Sequence, residues 1–589
     1  MEYKDFLATH GAQLEASGVP GHIWPSLARK LAAETLDAGE WCMLAEEEDG
    51  SLAAFATQAL EPSDPQAIFL VDHAWTFRRM ANLLALDEED EAELMEQVLR
   101  QIWRKAQTYS IQAPGLSTEE RMPVWYVVDE LGCALGHSEE ANCRLLPFYY
   151  APAGLSYSLL FPILPIPEQG RLTRDFVEPS LRRRPEWRQF YMLPWKEADF
   201  STLSSDNLPA EDRLFTSERE LESLPLEEKN EAETDTKILL PETFPLKIWS
   251  ESKQISRHLS PALFQPVESM EEADVLWWSS HFKDFKGLRE EWPGKMVNQV
   301  PCESVLTVKD LLAATLQTAY PPNGPRWLPR TFNLVRELPQ FVAEFQKRKS
   351  SGEENSWIVK PWNLARALDT AVSDDLTHII RLIDSGPKVA CKYLERPLLF
   401  RRPDTGARVK FDLRYIVLLR SLQPLQLFLF TPFWLRFAIK EFELREFDDY
   451  ERHFTVFNYA DSSKILQMRC EDFIRQLEEQ YPSLEWTLIQ QKINMMLLEL
   501  FCAGSAKQPP RGLAANPQCR AMYGVDLMLA WTKGEDGVEE VLEPRLLEVN
   551  FMPDCERACV YYPDFADACF TTLFGPPKTS PHPKIALIS

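Results

Sequence analysis

The sequence predicts a mixed α/β protein in which an N-terminal module precedes an α/β domain of about three hundred residues or more. Three observations lead there. At 589 residues the chain exceeds a single ordinary core, and about 100 to 200 residues per domain gives two to four units. From about Leu246 onward, strand-like stretches alternate with helix-like ones, the pattern of a sheet layered with helices. Between Phe200 and Glu242 the chain reads "STLSSDNLPAEDRLFTSERELESLPLEEKNEAETDTK", polar, acidic and poor in aromatic residues, which predicts a loosely held linker. The expected parts are therefore a module over 1–200, an acidic linker over 201–242 and an α/β domain over 243–580.

Composition narrows the function. Hydrophobic residues make up 45% and aromatic residues 11% of the chain, enough to build cores. The net charge of −26 argues against direct nucleic-acid binding, because phosphate backbones are neutralised by basic surfaces. "LRRRPEWR", Leu181 to Arg188, is a local basic patch of opposite sign. Eleven cysteines are scattered without the pairing of a zinc site, which predicts reduced thiols in the cytosol or nucleus. In "CERAC", Cys555 and Cys559 read either as metal ligands or as ordinary buried thiols. The opening "MEYKDFLATHGAQLEAS" has no apolar signal core, and "YSLLFPILPIP" is short and proline-broken, so neither membrane partner nor membrane span is expected.

Taken in chain order, "DEEDEAELMEQVLRQIWRK" (Asp87–Lys105) predicts an amphipathic helix: Leu94, Val98 and Ile102 share a face, acids crowd its start and bases its end, complementing the helix dipole. "LKIWS" and "ADVLWW" predict short buried strands. "WIVKPWNLARALDT" (Trp357–Thr370) begins as a strand ending in Lys360, well placed to reach phosphate oxygens, yet the loop behind it lacks the glycines that let backbone N–H groups approach the same phosphates. In "KFDLRYIVLL", period two puts Lys410, Asp412 and Arg414 on one face and Phe411, Leu413 and Tyr415 on the other; a half-exposed surface strand shows the same pattern. "YGVDLMLAW" and "PRLLEVNF", joined by "TKGEDG", predict a hairpin. Glu548 and Asn550 leave one face of its second strand with Asp526 across from them. Two carboxylates and an amide oxygen suit Mg²⁺, and they equally suit a salt-bridged sheet.

Together these pieces resemble, in order and wording, the ATP-grasp domain of the tubulin tyrosine ligase-like family. The resemblance runs from about Leu246 to Gly575 and rests on "LTVKDLL", "WLPRTFNL", "WIVKP", "KYLERPLLF", "KFDLRYIVLLR", "LRFA", "HFT" and "LLEVNFMP". It implies ATP and Mg²⁺ as cofactors and tubulin or microtubules as partner, an amino acid being joined to a tubulin tail through an acyl-phosphate. Carried over by position, Lys360 resembles the phosphate lysine. Lys392, Tyr393 and Leu394 resemble the adenine hinge, and Lys410 and Asp412 nucleotide-contacting positions. Arg414 and Arg436 resemble the arginines that hold the acceptor's acidic group or the incoming amino acid, and Asp526, Glu548 and Asn550 the metal triad. After Lys360-Pro361 the family pattern is four residues, a basic residue, then Gly-x-Gly-Ile. Here Arg366 keeps the basic position, while Ala367, Asp369 and Thr370 replace the glycines and isoleucine. Alanine disfavours the φ > 0 backbone that glycine allows, and Asp369 would face a polyphosphate of like charge. The asparagine that follows "HLT" in active relatives is Val456, with Asn458 two residues late. The expectation is a pseudoenzyme that binds tubulin and modulates tail modification; the alternative is an active ligase rebuilt around Arg366.

In the N-terminal half, "ALGHSEEANCRLLPFYYAP" resembles the SET-domain signature at His137, Ser138, Asn142 and Cys143. Gly136 stands where the cofactor-contacting asparagine belongs. The resemblance implies a SET-like fold with histone as a second partner, and a third reading, a histone lysine methyltransferase, which Gly136 weighs against. The expected location is cytoplasmic, with cytoskeletal and nuclear pools.

Overall fold

The computed structural model describes residues 2–48, 51–111, 115–178, 184–217, 219, 221–225, 241, 243–362, 364, 367–456, 464–534, 540–576 and 581–588. The chain forms two compact units. The first is Met1–Leu203 with Val342–Ser350 and Ser373–Lys388; the second is Ser204–Phe341, Ser351–Val372 and Val389–Ser589. Two short segments of the later chain thus belong to the first unit. No helix among the described residues is long and apolar enough to cross a membrane.

The first unit is built on a three-stranded antiparallel sheet of β1 (Phe69–Val71), β2 (Cys143–Tyr150) and β3 (Leu155–Pro162), in the order β1-β3-β2. Its two faces feed two cores, one holding Phe69, Leu145 and Leu160, the other Phe148, Leu159 and Phe161 under Phe6 and Leu14. Alternation along each strand produces this division. The predicted amphipathic helix is α1, Glu91–Gln101, followed by one 3₁₀ turn to Arg104. Leu94, Val98 and Ile102 are buried, and Asp90 caps it by accepting from the backbone N–H groups of Ala92 and Glu93 at 2.9 and 3.1 Å.

Three sheets of four or five strands lie in the second unit. β4 (Leu246–Ser250), β5 (Phe264–Pro266), β6 (Val275–Trp277) and β7 (Met296–Val297) pair in parallel in the order β5-β4-β6-β7. "LKIWS" and "ADVLWW" are two of these strands. A second sheet, in the order β8-β11-β9-β10, joins β8 (Thr331–Asn333), β9 (Trp357–Pro361), β10 (Ala371–Ser373) and β11 (Lys388–Lys392). The third carries the site: β12 (Phe411–Leu422), β13 (Leu425–Phe437), β14 (Ala521–Lys533), β15 (Glu540–Phe551) and β16 (Ile585–Leu587), antiparallel in the order β15-β14-β12-β13-β16.

The central strand β12 is covered on both faces. Leu413, Tyr415, Val417 and Leu419 pack into a core with Ile493, Leu497 and Leu500 of the helix Trp486–Ser505, whereas Ile416 and Leu418 pack with Phe565, Phe570 and Phe574 around the helix Phe565–Phe574. It is therefore not a half-exposed surface strand, and any charge on it is desolvated. The stretch read as a loose linker is, over its described residues 204–225, docked on the second unit. Asn207 donates to the Thr331 carbonyl at 2.8 Å and to Glu337 at 3.1 Å, and Phe215 enters the main core.

Leu500 is fully buried between that helix and the sheet, so Leu500→Ala should destabilise the second unit by about 2–5 kcal/mol. A fall in its urea midpoint with little change in slope would show this, and an unchanged midpoint would contradict the packing.

Candidate nucleotide and metal site

Strand register assembles the charges. Asp412 on β12 pairs directly with Arg436 on β13, and Arg414 on β12 with Asp526 on β14. Asp526 pairs in turn with Glu548 on β15, and Gly524 with Asn550. A bulge just after Asp526 re-registers the strands beyond it. Gly524 is needed for closeness: a Cβ there would meet Pro553 of "EVNFMP" at 2.9 Å.

The side chains close into a chain of ion pairs. Arg414 donates through Nε to Asp526 Oδ1 and through Nη2 to Oδ2, both at 2.7 Å. Arg436 chelates Asp412, with Nε 2.9 and 3.0 Å from its two oxygens, and reaches Asp526 Oδ2 through Nη2 at 2.8 Å. Burial raises the Asp526 carboxyl, but the Arg436 and Arg414 guanidiniums outweigh it and hold it at about 2. Asp412, equally buried, is bonded by one guanidinium rather than two, and burial, only partly offset by Arg436, leaves its carboxyl above the ordinary value. The salt-bridged reading of this sheet is thus realised.

Asp526, Glu548 and Asn550 converge: the Asn550 amide lies 3.2 Å from Glu548 Oε1 and 3.4 Å from Asp526 Oδ2. This hard-oxygen donor set fits a magnesium ion, with the Asn550 amide turned to present its oxygen and with Asp526 shared between cation and guanidiniums. Lys309, at the start of the helix α2 (Lys309–Ala319), stands 3.7 Å from Glu548; burial lowers its ammonium and Glu548 partly restores it.

Of the residues expected at the hinge, Lys392 and Tyr393 are held by polar contacts. Lys392 pairs with Glu395 at 2.5 Å and donates to the Ser356 carbonyl at 3.1 Å. Leu394 is half-buried. Lys410, fully buried, donates to the Tyr393 hydroxyl at 2.7 Å, and that hydroxyl lies 2.8 Å from His453 Nδ1. His453 Nε2 faces the Arg445 carbonyl at 2.8 Å. A carbonyl only accepts, so Nε2 carries the proton, Nδ1 accepts from Tyr393, and the phenol accepts from Lys410. Burial lowers Lys410 to about 7, with Asp412 opposing.

Lys360, half-buried, lies at the end of β9 as expected, one residue before its last, Pro361. The loop behind it departs from expectation. Ala367 and Asp369 stand at φ of +57° and +49°, so both keep the left-handed backbone that glycine would take, at a cost of order 1–2 kcal/mol each. The loop therefore stores strain at two non-glycine positions. Arg366 and Asn458 lie outside the described residues. Thr370 is held by Tyr450, whose hydroxyl donates to its carbonyl at 2.8 Å. Val456 is half-buried.

Elsewhere, candidate residues are consumed structurally. Asn142 accepts from the Thr173 N–H and donates to the Arg171 carbonyl, both at 2.8 Å, and His137 accepts from the Phe176 N–H at 3.3 Å. Gly136 and His137 form a short strand beside Thr173–Arg174, Ser138 accepts from the Glu140 N–H and Cys143 is buried. In the basic patch, Leu181 to Arg183 fall outside the described residues, Arg184 pairs with Glu186 and Arg188 chelates Asp175 at 2.9 and 3.1 Å. Cys555 and Cys559 are buried, and burial pushes both thiols up; among the described residues no group of three or more His, Cys, Asp or Glu is disposed to hold a metal. Sequence reasoning did not single out Tyr450, since a lone tyrosine in a polar stretch carries no periodic signal.

The profile of the tubulin-tyrosine ligase family matches residues 288–584, and that of the tubulin tyrosine ligase SET-like domain matches residues 51–199. The chain is 43% identical to a human protein named tubulin–tyrosine ligase-like protein 12, over 97% of this chain and 94% of the relative. It is 39% identical to the Caenorhabditis elegans protein of that name, over 98% of each. It is 26% identical to a mouse protein named a probable tubulin polyglutamylase, over 50% of this chain and 52% of the relative.

Two outcomes follow from the geometry. Ala367→Gly should raise stability by about 0.5–1 kcal/mol, relief of strain exceeding the entropy glycine adds to the unfolded chain; a loss of stability would contradict the left-handed backbone. A lysine depressed in the folded state leaves the native chain with fewer bound protons than the unfolded one. The difference in stability between wild type and Lys410→Met should therefore shift in favour of wild type as pH rises from about 7 toward the ordinary lysine value of 10.5. Urea unfolding at several pH values measures it, and a flat difference would place Lys410 in solvent.

Proposed function

Because the chain belongs to the tubulin-tyrosine ligase family, we propose that it binds tubulin and modulates modification of tubulin tails, by tyrosination, detyrosination or glutamylation, without ligating amino acids at the rate of active relatives. One observation carries this reading: both oxygens of Asp526 accept from Arg414 and Arg436, so the carboxylate a metal would need and the arginines an acidic substrate would need are spent on each other. Asp369 adds a carboxylate to a loop whose role is to hold phosphates, where like charge opposes binding. Lys392 is likewise held by Glu395.

In this reading Lys360 and Lys410 would face the phosphates of ATP, the half-buried Leu394 and the Tyr393 backbone would border the base, and Asp526, Glu548 and Asn550 would hold Mg²⁺. ATP and Mg²⁺, when bound, would supply an activated phosphoryl group with its charge neutralised. The protein's own contribution would be positioning and charge, which dominate catalysis of phosphoryl transfer; the loss of one such well-placed donor costs about a hundred- to a thousandfold in rate. We assign no methyl transfer to the SET-like module, in which His137 and Asn142 serve as local ties and Gly136 lacks a side chain to contact a methyl donor.

The alternative reading, an active ATP- and Mg²⁺-dependent ligase, has one observation in its favour: Ala367 and Asp369 adopt left-handed backbone of the kind that glycine favours. Labelled tyrosine, glutamate and glycine offered to the purified chain with tubulin and Mg-ATP, beside an active relative, decide between the two. We expect tubulin to bind with incorporation at least a hundredfold below the relative; incorporation at the relative's rate would establish the ligase instead. Glu548→Gln should weaken any Mg²⁺-dependent ATP binding measured by calorimetry, since one hard anionic ligand is lost, and identical Mg²⁺-dependent titrations of mutant and wild type would refute the metal assignment.

A further inference from the structure

We propose that Arg219, in the polar stretch ahead of the ligase-like domain, is a positioning residue for the loop behind Lys360. Its Nη2 lies 2.6 Å from Asp310 Oδ2, and Asp310 is 1% exposed. Its guanidinium lies 3.7 Å from the centre of the Trp362 ring, two residues beyond Lys360. Asp310 also accepts from Asn333 at 3.2 Å, so the carboxylate holding Arg219 is itself fixed. The neighbouring Lys309 grips the same loop, donating through Nζ to the Leu364 carbonyl at 2.7 Å and through its backbone N–H to the Trp362 carbonyl at 3.4 Å.

Arg219 is not a stray surface cation. Phe215 anchors the chain before it in the core. Just after it, Glu222 accepts from the Cys302 N–H at 2.7 Å and lies 3.1 Å from His281, and Ser223 bonds Asp284. The stretch is therefore docked on both sides of the arginine. Non-glycine residues persist in left-handed backbone only where surrounding structure over-determines them, and this loop carries two, Ala367 and Asp369. It is pinned by Lys309 near its start and by Tyr450 near its end. Arg219 adds a cation–π contact on Trp362, 3.7 Å from the ring centre, at the point where the loop leaves β9. A guanidinium can lie over an indole while its Nη2 donates to a carboxylate, a pair of contacts that the compact ammonium of lysine does not reproduce.

The geometry stands by itself; its consequence for nucleotide rests on the reading above, and the experiment separates the two. Amide exchange is followed on the full chain without nucleotide for wild type, Arg219→Lys and Trp362→Leu. Arg219→Lys keeps a cation beside the buried Asp310, so the fold survives. Both variants should exchange at least tenfold faster in the peptide carrying Ala367–Thr370, with the helix Trp486–Ser505 unchanged. Exchange at the wild-type rate in that peptide, or a rise shared equally by the helix, would overturn the positioning role. ATP affinity is then measured by calorimetry with Lys360→Ala as the control. Lys360→Ala binding ATP as well as wild type would refute the nucleotide reading alone. Where Lys360→Ala is impaired, Arg219→Lys should bind ATP about five- to tenfold more weakly, and wild-type affinity in Arg219→Lys would overturn the link between Arg219 and the nucleotide.

Discussion

Everything at this site is arranged around the Asp526 carboxylate, which is fully buried and held by two guanidiniums. An ionised carboxylate taken out of water is costly unless paired, and breaking such a pair costs more than the pair contributes. Arg414 and Arg436 therefore cannot be treated as free groups awaiting a substrate: they are the condition under which Asp526 stays charged inside the sheet. A divalent cation approaching Glu548 and Asn550 competes for the same oxygens.

The sheet makes this arrangement rigid. β12 is covered by helices on both sides, and its register with β13 and β14 sets each charge opposite its counter-charge. A one-residue slip would carry Asp412 and Arg414 into the apolar core, so hydrophobic burial of Leu413, Tyr415 and Val417 enforces the electrostatic pairing. At the strand's entrance Lys410 donates to the Tyr393 hydroxyl and the His453 carbonyl, and burial, with Asp412 opposing, depresses its ammonium. The same unit tolerates strain where packing can bear it, in the loop after Lys360.

Much of this was legible from residues alone. Period two in "KFDLRYIVLL" predicted the division between charged and apolar faces, and "TKGEDG" between two alternating runs predicted the hairpin that brings Asp526 opposite Glu548. The burial of β12 on both faces was not legible, because it depends on where the helices Trp486–Ser505 and Phe565–Phe574 pack. The docking of 204–225 was hidden for a related reason: a few anchors, Asn207, Phe215 and Glu222, hold a stretch whose average composition is that of a linker. The left-handed Ala367 and Asp369 escaped because a local preference of about 1–2 kcal/mol is easily overridden by tertiary anchors.

The central claim is that guanidinium and divalent cation compete for Asp526. Manganese affinity, read by paramagnetic relaxation in the full-length chain and in Arg414→Gln, tests it most directly. Releasing one chelating guanidinium while Arg436 still neutralises the carboxylate should tighten Mn²⁺ binding by about tenfold, corresponding to roughly 1.4 kcal/mol. An affinity unchanged or weakened in Arg414→Gln would mean that Asp526 is not a metal ligand and that the arginines are not what keeps the site closed.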